Sequence, residues 1–123
     1  NARLRFISDQ IYLWEISLDD SFIGIVVLDN VKGKSQPITF VVFFDSLGLV
    51  KKSHIIKYRE PIGGDVSNQH WLNQFFGKSI QSNFKVGKNI DGISGATISV
   101  NAVTRGIHRS TFVAEYFLKI KHE

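Results

Sequence analysis

Three observations predict an α+β domain built on an antiparallel β-sheet, with a short helix and a long C-terminal helix packed on it. Runs rich in β-branched and aromatic residues recur through the first half of the chain, divided by turns containing Gly, Pro and Ser. Apolar residues near the C-terminus recur at helical spacing instead. Between these regions lie a Pro/Gly loop and a short segment with its own helix start and stop signals. At 123 residues the chain reads as one domain, residues 1–123, long enough for a single core. Its 43% hydrophobic content, with 10 Phe, 2 Trp and 3 Tyr, argues for a folded domain and against disorder.

The elements follow in order. Gln10 to Leu18 and Phe22 to Val31 read as strands, and Lys32-Gly33-Lys34-Ser35-Gln36-Pro37 supplies a turn. Ile38 to Asp45 is a strongly apolar strand expected at the centre of the sheet. Ser46-Leu47-Gly48 then returns the chain into Leu49 to Tyr58 as an antiparallel hairpin. Glu60 to Asp65 is a Pro/Gly loop, after which Ser67 is expected to cap a short helix through Phe76, ended by Gly77. After a looser stretch through Asn89, a long helix is expected to pack one face on the sheet through Val100, Val103, Ile107, Ala114, Phe117 and Leu118. No internal repeat, low-complexity segment or linker is visible.

Composition excludes several chemistries. Zero cysteines rules out a disulfide framework, Cys-ligated iron–sulfur clusters, thiolate zinc sites and thioether-linked haem. His54, His70, His108 and His122 show no paired ligand spacing, so no metal site is expected. The net charge of +4 is scattered, with only Lys51-Lys52 adjacent, which argues against nucleic acid as a partner. Gly33-Lys34-Ser35 and Gly77-Lys78-Ser79 are not P-loops, because Leu28 and Leu72 occupy the required upstream glycine position. No stretch approaches the roughly 20 apolar residues of a membrane span. The chain begins with Asn and contains no Met, which reads as a processed or excised piece of a longer protein.

The most informative stretch runs Asp91-Gly92-Ile93-Ser94-Gly95-Ala96-Thr97-Ile98-Ser99, directly into the long helix. Exposed amides and the positive dipole end at a helix start favour an anion, and Gly92, Gly95 and Ala96 leave room for a bulky group near the backbone. Thr97 would present its hydroxyl to a phosphate. The same residue types also cap helices with no ligand involved, and Ser99 is a reasonable N-cap on that reading.

Asp91-Gly92-x-Ser94-Gly95-Ala96-Thr97 resembles the flavinylation motif of the FMN-binding domain family. That family includes flavoprotein subunits of the sodium-pumping NADH:quinone oxidoreductase and of Rnf-type complexes. The resemblance extends upstream to Tyr58-Arg59-Glu60-Pro61-Ile62-Gly63-Gly64 and to Trp71-Leu72-x-Gln74-Phe75-x-Gly77-Lys78, covering roughly residues 22 to 110. Many members have a Glu-Thr-Pro-Gly loop where this chain has Arg59-Glu60-Pro61-Ile62.

The resemblance implies FMN attached to Thr97 through a phosphoester, installed by a separate flavin transferase that is FAD- and Mg2+-dependent. It implies a redox carrier, or a subunit of an oxidoreductase complex, exchanging electrons with redox partner proteins, rather than a stand-alone enzyme. It places the domain outside the cytoplasm, periplasmic or cell-surface, and membrane-associated only through missing segments or partner subunits. The candidate cofactor-binding residues are Thr97, Ser94, Gly95, Ala96, Asp91, Glu60, Gly63, Gly64, Trp71 and Lys88.

Each of the less direct candidates has a second reading. Trp71 and Phe75, four apart on the short helix, fit ring contact or core packing. Glu60, Gly63 and Gly64 bring backbone toward a ring or form a plain turn. Lys88 screens the phosphate or is simply solvated. Asp91 fixes the loop by accepting backbone hydrogen bonds, or belongs to the signature that the transferase recognises. The alternative for the whole chain is a module that binds flavin or another phosphorylated ligand without a covalent bond, in a sensory or regulatory role.

Overall fold

A computed structural model describes residues 1–6 and 11–123. Five strands, β1 (Ala2–Phe6), β2 (Tyr12–Leu18), β3 (Ser21–Lys32), β4 (Pro37–Asp45) and β5 (Val50–Lys57), form one sheet in sequential order with every neighbour antiparallel. Such a meander needs only short reversals. Asp19 and Asp20, both at positive φ, turn β2 into β3 with Leu18 paired to Ser21, a two-residue hairpin of the kind Asp tolerates. At the β4–β5 reversal Asp45 Oδ1 accepts from the amides of Leu47 and Leu49, and Gly48 takes φ 85°.

Burial alternates with the period of a sheet covered on one side. Ile25, Val27, Asp29 and Val31 of β3 and Ile38, Phe40, Val42 and Phe44 of β4 point inward. The other face, with Trp14, Val26, Leu28 and Val41, stays half-buried. The long helix, α2 (Thr97–Lys121), lies on the inner face with Val100, Val103, Ile107, Ala114 and Leu118 buried, as its spacing predicts, while Phe117 is only partly buried. One contiguous cluster joins sheet, helix and the intervening segment through Val66, Trp71, Leu72, Phe75 and Ile90.

Several boundaries differ from expectation. β1 lies outside the strands read from the sequence, and Gln10, expected to begin the second strand, lies outside the described residues. β4 is an interior strand, but the sheet is centred on β3. The expected helix from Ser67 to Phe76 is three short pieces: a 3-10 turn at Gly64–Ser67, α1 (Gln69–Leu72) and a second 3-10 turn at Asn73–Phe75. Ser67 ends the first piece. The cap is Asn68, whose side-chain oxygen accepts from the His70 amide at 2.8 Å. Asn caps as well as Ser does, and the later start is the one that buries Trp71 and Leu72. Gly77 follows at φ 82°, where the segment ends.

Candidate functional site

The chain reaches α2 through a tight turn. The Ala96 amide donates to Ile93 O at 3.0 Å, with Ser94 and Gly95 between them and Gly95 at φ 83°. The helix then begins at Thr97 itself. Ala96 is its N-cap and provides no side-chain hydrogen bond. Ser99, expected to cap, is instead buried in the first turn, where its hydroxyl lies 2.6 Å from Tyr58 Oη. Among the described residues the first-turn amides are therefore left without a side-chain acceptor, at the positive end of a 25-residue helix.

A cleft of ≈ 360 Å³ opens at this point. Gly95, Ala96, Thr97, Ile98 and Ser99 line it from the helix start, Glu60, Pro61, Ile62 and Gly63 from the loop after β5, and Lys34 from the β3–β4 turn. Its size falls at the lower end of ligand sites, roughly 300–1,000 Å³. Thr97 is exposed here, and its hydroxyl has no hydrogen bond to another described residue.

The loop wall is fastened to the helix by Tyr58. Its hydroxyl donates to Ile62 O and lies against Ser99 Oγ, so one phenol ties the loop to α2. Gly63 passes over this pair at φ 92°, and a Cβ there would lie 2.4 Å from Tyr58 Oη and 2.5 Å from Ser99 Oγ. Only glycine fits that crossing. Glu60 turns the other way: its Oε1 accepts from the amides of Ser35 at 2.9 Å and Gln36 at 3.1 Å. Those two backbone donors, Ser35 first, hold its carboxyl below the ordinary carboxylate range.

A second groove, ≈ 620 Å³, lies beside the motif and is lined by His70, Trp71, Asn73, Gln74, Asp91 and Gly92. Here the head of the motif is held by its backbone. Gln74 accepts from the Asp91 amide at 2.7 Å and donates to Asp91 O at 3.4 Å, and Trp71 Nε1 donates to the same carbonyl at 2.7 Å. The expectation that the Asp91 side chain fixes the loop is thus corrected, because neighbouring side chains grip its main chain. Its exposed carboxylate takes no hydrogen bond or ion pair among the described residues.

The structure therefore gathers Glu60, Gly63, Gly95, Ala96 and Thr97 into one cleft and sets Trp71 and Asp91 in the groove beside it. Trp71 is 8% exposed and Phe75 is wholly buried, edge-to-face at 5.4 Å, so this pair packs in the core. Gly64 begins the first 3-10 turn, Ser94 is exposed in the turn before α2, and Lys88 is exposed on the loop before Ile90. None of these three lines the cleft. Sequence reasoning missed Lys34, Ile62 and the pairing of Tyr58 with Ser99. Tyr58 stood inside the upstream block, but its partner lies 41 residues away and carried no signal of the contact.

The profile of the FMN-binding domain matches residues 33–111, most of the chain and every element around the cleft. The chain belongs to the FMN-binding domain family. Among solved structures, the crystal structure of Shewanella oneidensis NqrC resembles this FMN-binding domain with a TM-score of 0.62 and 22% sequence identity. The likeness covers 79% of this chain and 53% of NqrC, so the chain spans about half of that protein's length. No curated protein matches. The cleft fits an FMN phosphate: uncapped helix amides, an exposed hydroxyl at the first helical residue and a glycine whose Cβ direction is open. Among the described residues, no helix is long and apolar enough to cross a membrane.

Proposed function

We propose that this domain carries FMN covalently on Thr97 through a phosphoester and passes electrons between redox partner proteins. The observation that carries the reading is an exposed Thr97 hydroxyl at the first residue of an uncapped 25-residue helix, lining a cleft in an FMN-binding domain. Bound FMN supplies reversible one- and two-electron chemistry. The protein's part is to hold it. Amides at the start of α2 would face the phosphate, and Gly95 and Ala96 allow its approach. Pro61, Ile62 and Gly63 offer an apolar backbone wall for the ring system.

Attachment is a group transfer in which Thr97 is the acceptor. The Thr97 oxygen bonds to the FMN phosphorus of FAD, the pyrophosphate bond breaks, AMP leaves, and the hydroxyl proton passes to a base. That base and the Mg2+ are assigned to a flavin transferase, because Glu60, the only carboxylate lining the cleft among the described residues, is engaged by backbone amides. Asp91 suits recognition by that transferase, since Gln74 and Trp71 hold its backbone while its carboxylate stays exposed. Tethering also suits a carrier outside the cytoplasm, where a lost flavin is not readily replaced, with membrane association through partner subunits or further segments.

Intact mass after coexpression with a flavin transferase tests the reading. The expected gain is FMN less one water on the peptide containing Thr97, with none in Thr97→Ala. That variant should fold with stability within about 0.5 kcal/mol of the parent, because an exposed, unbonded side chain is removed. Yellow colour retained by Thr97→Ala through acid precipitation would overturn the covalent site. Colour lost by the parent in acid would favour the non-covalent module.

A further inference from the structure

Among the described residues Lys34 is the only cation lining the cleft, and it arrives from the β3–β4 turn, outside the three quoted stretches that resemble the family motif. Glu60 shapes that turn. Its Oε1 accepts from Ser35 N and Gln36 N, while the Gly33 amide closes the turn on Gln36 O at 2.9 Å. A Cβ on Gly33 would lie 2.8 Å from Glu60 Oε1, so a side chain there would push the carboxylate from its seat. The turn that carries Lys34 is thus fastened to the loop that walls the cleft. Thr97 lines the same cleft from the start of α2.

We propose that Lys34 is the cationic group that acts on the flavin in this cleft, favouring its reduced state, and that Glu60 is the positioning residue that sets Lys34 there. This rests on the reading that the cleft holds FMN. Reduction by dithionite at neutral pH adds two electrons and one proton to the ring system, which gains one negative charge. An ammonium at the same cleft stabilises that charge, more strongly than in bulk water because protein lines the cleft from the start of α2, the loop after β5 and the β3–β4 turn. Sulfite is an independent probe. Its lone pair bonds to the flavin N5, and the adduct likewise leaves negative charge on the ring without an external reductant.

The experiment uses the flavinylated domain and its Lys34→Gln, Glu60→Gln and Lys88→Gln variants, each confirmed as loaded by intact mass. Midpoint potential and sulfite dissociation constant are measured for each. Lys34→Gln is expected to weaken sulfite binding about 3–10-fold and to lower the midpoint potential. Glu60→Gln keeps an oxygen for Ser35 and Gln36 but removes a negative charge beside Lys34, so both quantities should move the opposite way. Lys88→Gln removes the same charge from an exposed loop off the cleft and should move neither. A purely structural role for Lys34 and Glu60 would not give opposite signs. Parent-like values in loaded Lys34→Gln, or an equal shift in Lys88→Gln, would overturn the proposal. A parent that acquires no flavin overturns the carrier reading and this inference with it.

Discussion

The two ends of α2 are built on opposite plans. From its middle onward the helix is bound to the sheet by ion pairs: Arg109 holds Asp29 of β3 at 2.8 Å, and Lys121 in the last turn holds Glu15 of β2. Lys121 also lies over the Phe22 ring at 4.6 Å, and Lys119 and Lys121 place positive charge where the helix dipole is negative. At the N-terminal end the positive dipole meets no acidic residue in the first turn and no side-chain cap. The side-chain contact there, Ser99 to Tyr58, fastens the cleft wall and does not occupy the helix amides. The ion pairs that hold α2 to the sheet lie away from the cleft, so changes at Thr97 and changes at those pairs should separate function from folding.

Arg109→Ala should break this contrast most strongly. Asp29 is 2% exposed and would lose its cationic partner. A fully buried pair broken on one side costs roughly 3–5 kcal/mol, but the Arg109 side chain is 47% exposed and water can enter, so about 2–3 kcal/mol is expected. Denaturant unfolding should register that loss while the fraction of Thr97 loaded with flavin stays at the parental level. Poor loading in a variant that is fully folded at the assay temperature would show that the two ends are coupled.

What the sequence displayed, and what it concealed, divides along the same lines. The β4–β5 hairpin was readable because apolar runs around Ser46-Leu47-Gly48 are local signals, and α2 because its buried stripe recurs every three or four residues. β1 was not, since Arg3 and Arg5 interrupt its apolar pattern and its place depends on β2, where Arg5 meets Glu15. At the site, the helix start and Thr97 were legible because helix-start chemistry is confined to a few adjacent residues. Lys34 was not, because Glu60, 25 residues from Ser35, determines where the turn sits. Ser99 has the local properties of a cap, but Tyr58 claims its hydroxyl from 41 residues away. Local preference gives way where a long-range partner satisfies the same atom.

Tyr58→Phe tests the N-terminal end by loosening its wall without touching Thr97. The change removes a hydroxyl that donates to Ile62 O and contacts Ser99 Oγ, leaving the buried Ser99 hydroxyl without that partner. A loss of about 1–2 kcal/mol is expected. Amide exchange should accelerate at Ile62 and Gly63 while β3 and the C-terminal half of α2 stay protected. Uniform acceleration across the domain would show that Tyr58 supports the whole fold rather than the cleft wall.

The smallest expected effect concerns acid, at the far end of the helix. Lys121 is the leading cause of the lowered Glu15 pKa; partial burial opposes it, and Arg5 adds to the lowering through bonds of 3.2 and 3.1 Å. A carboxyl with a lower pKa folded than unfolded contributes stability that is fully present above its ordinary unfolded pKa, about 4.3 for Glu. That contribution is lost as pH falls through the depressed folded value. Glu15→Gln should therefore cost about 1 kcal/mol near neutral pH and make the decline in stability below about pH 4.3 shallower than in the parent. Thermal unfolding of both proteins from pH 7 to pH 3 measures the difference. Parallel curves across that range would remove the Glu15 ion pairs from the account of how this end of α2 is held, leaving the burial of Ala114 and Leu118 to anchor it.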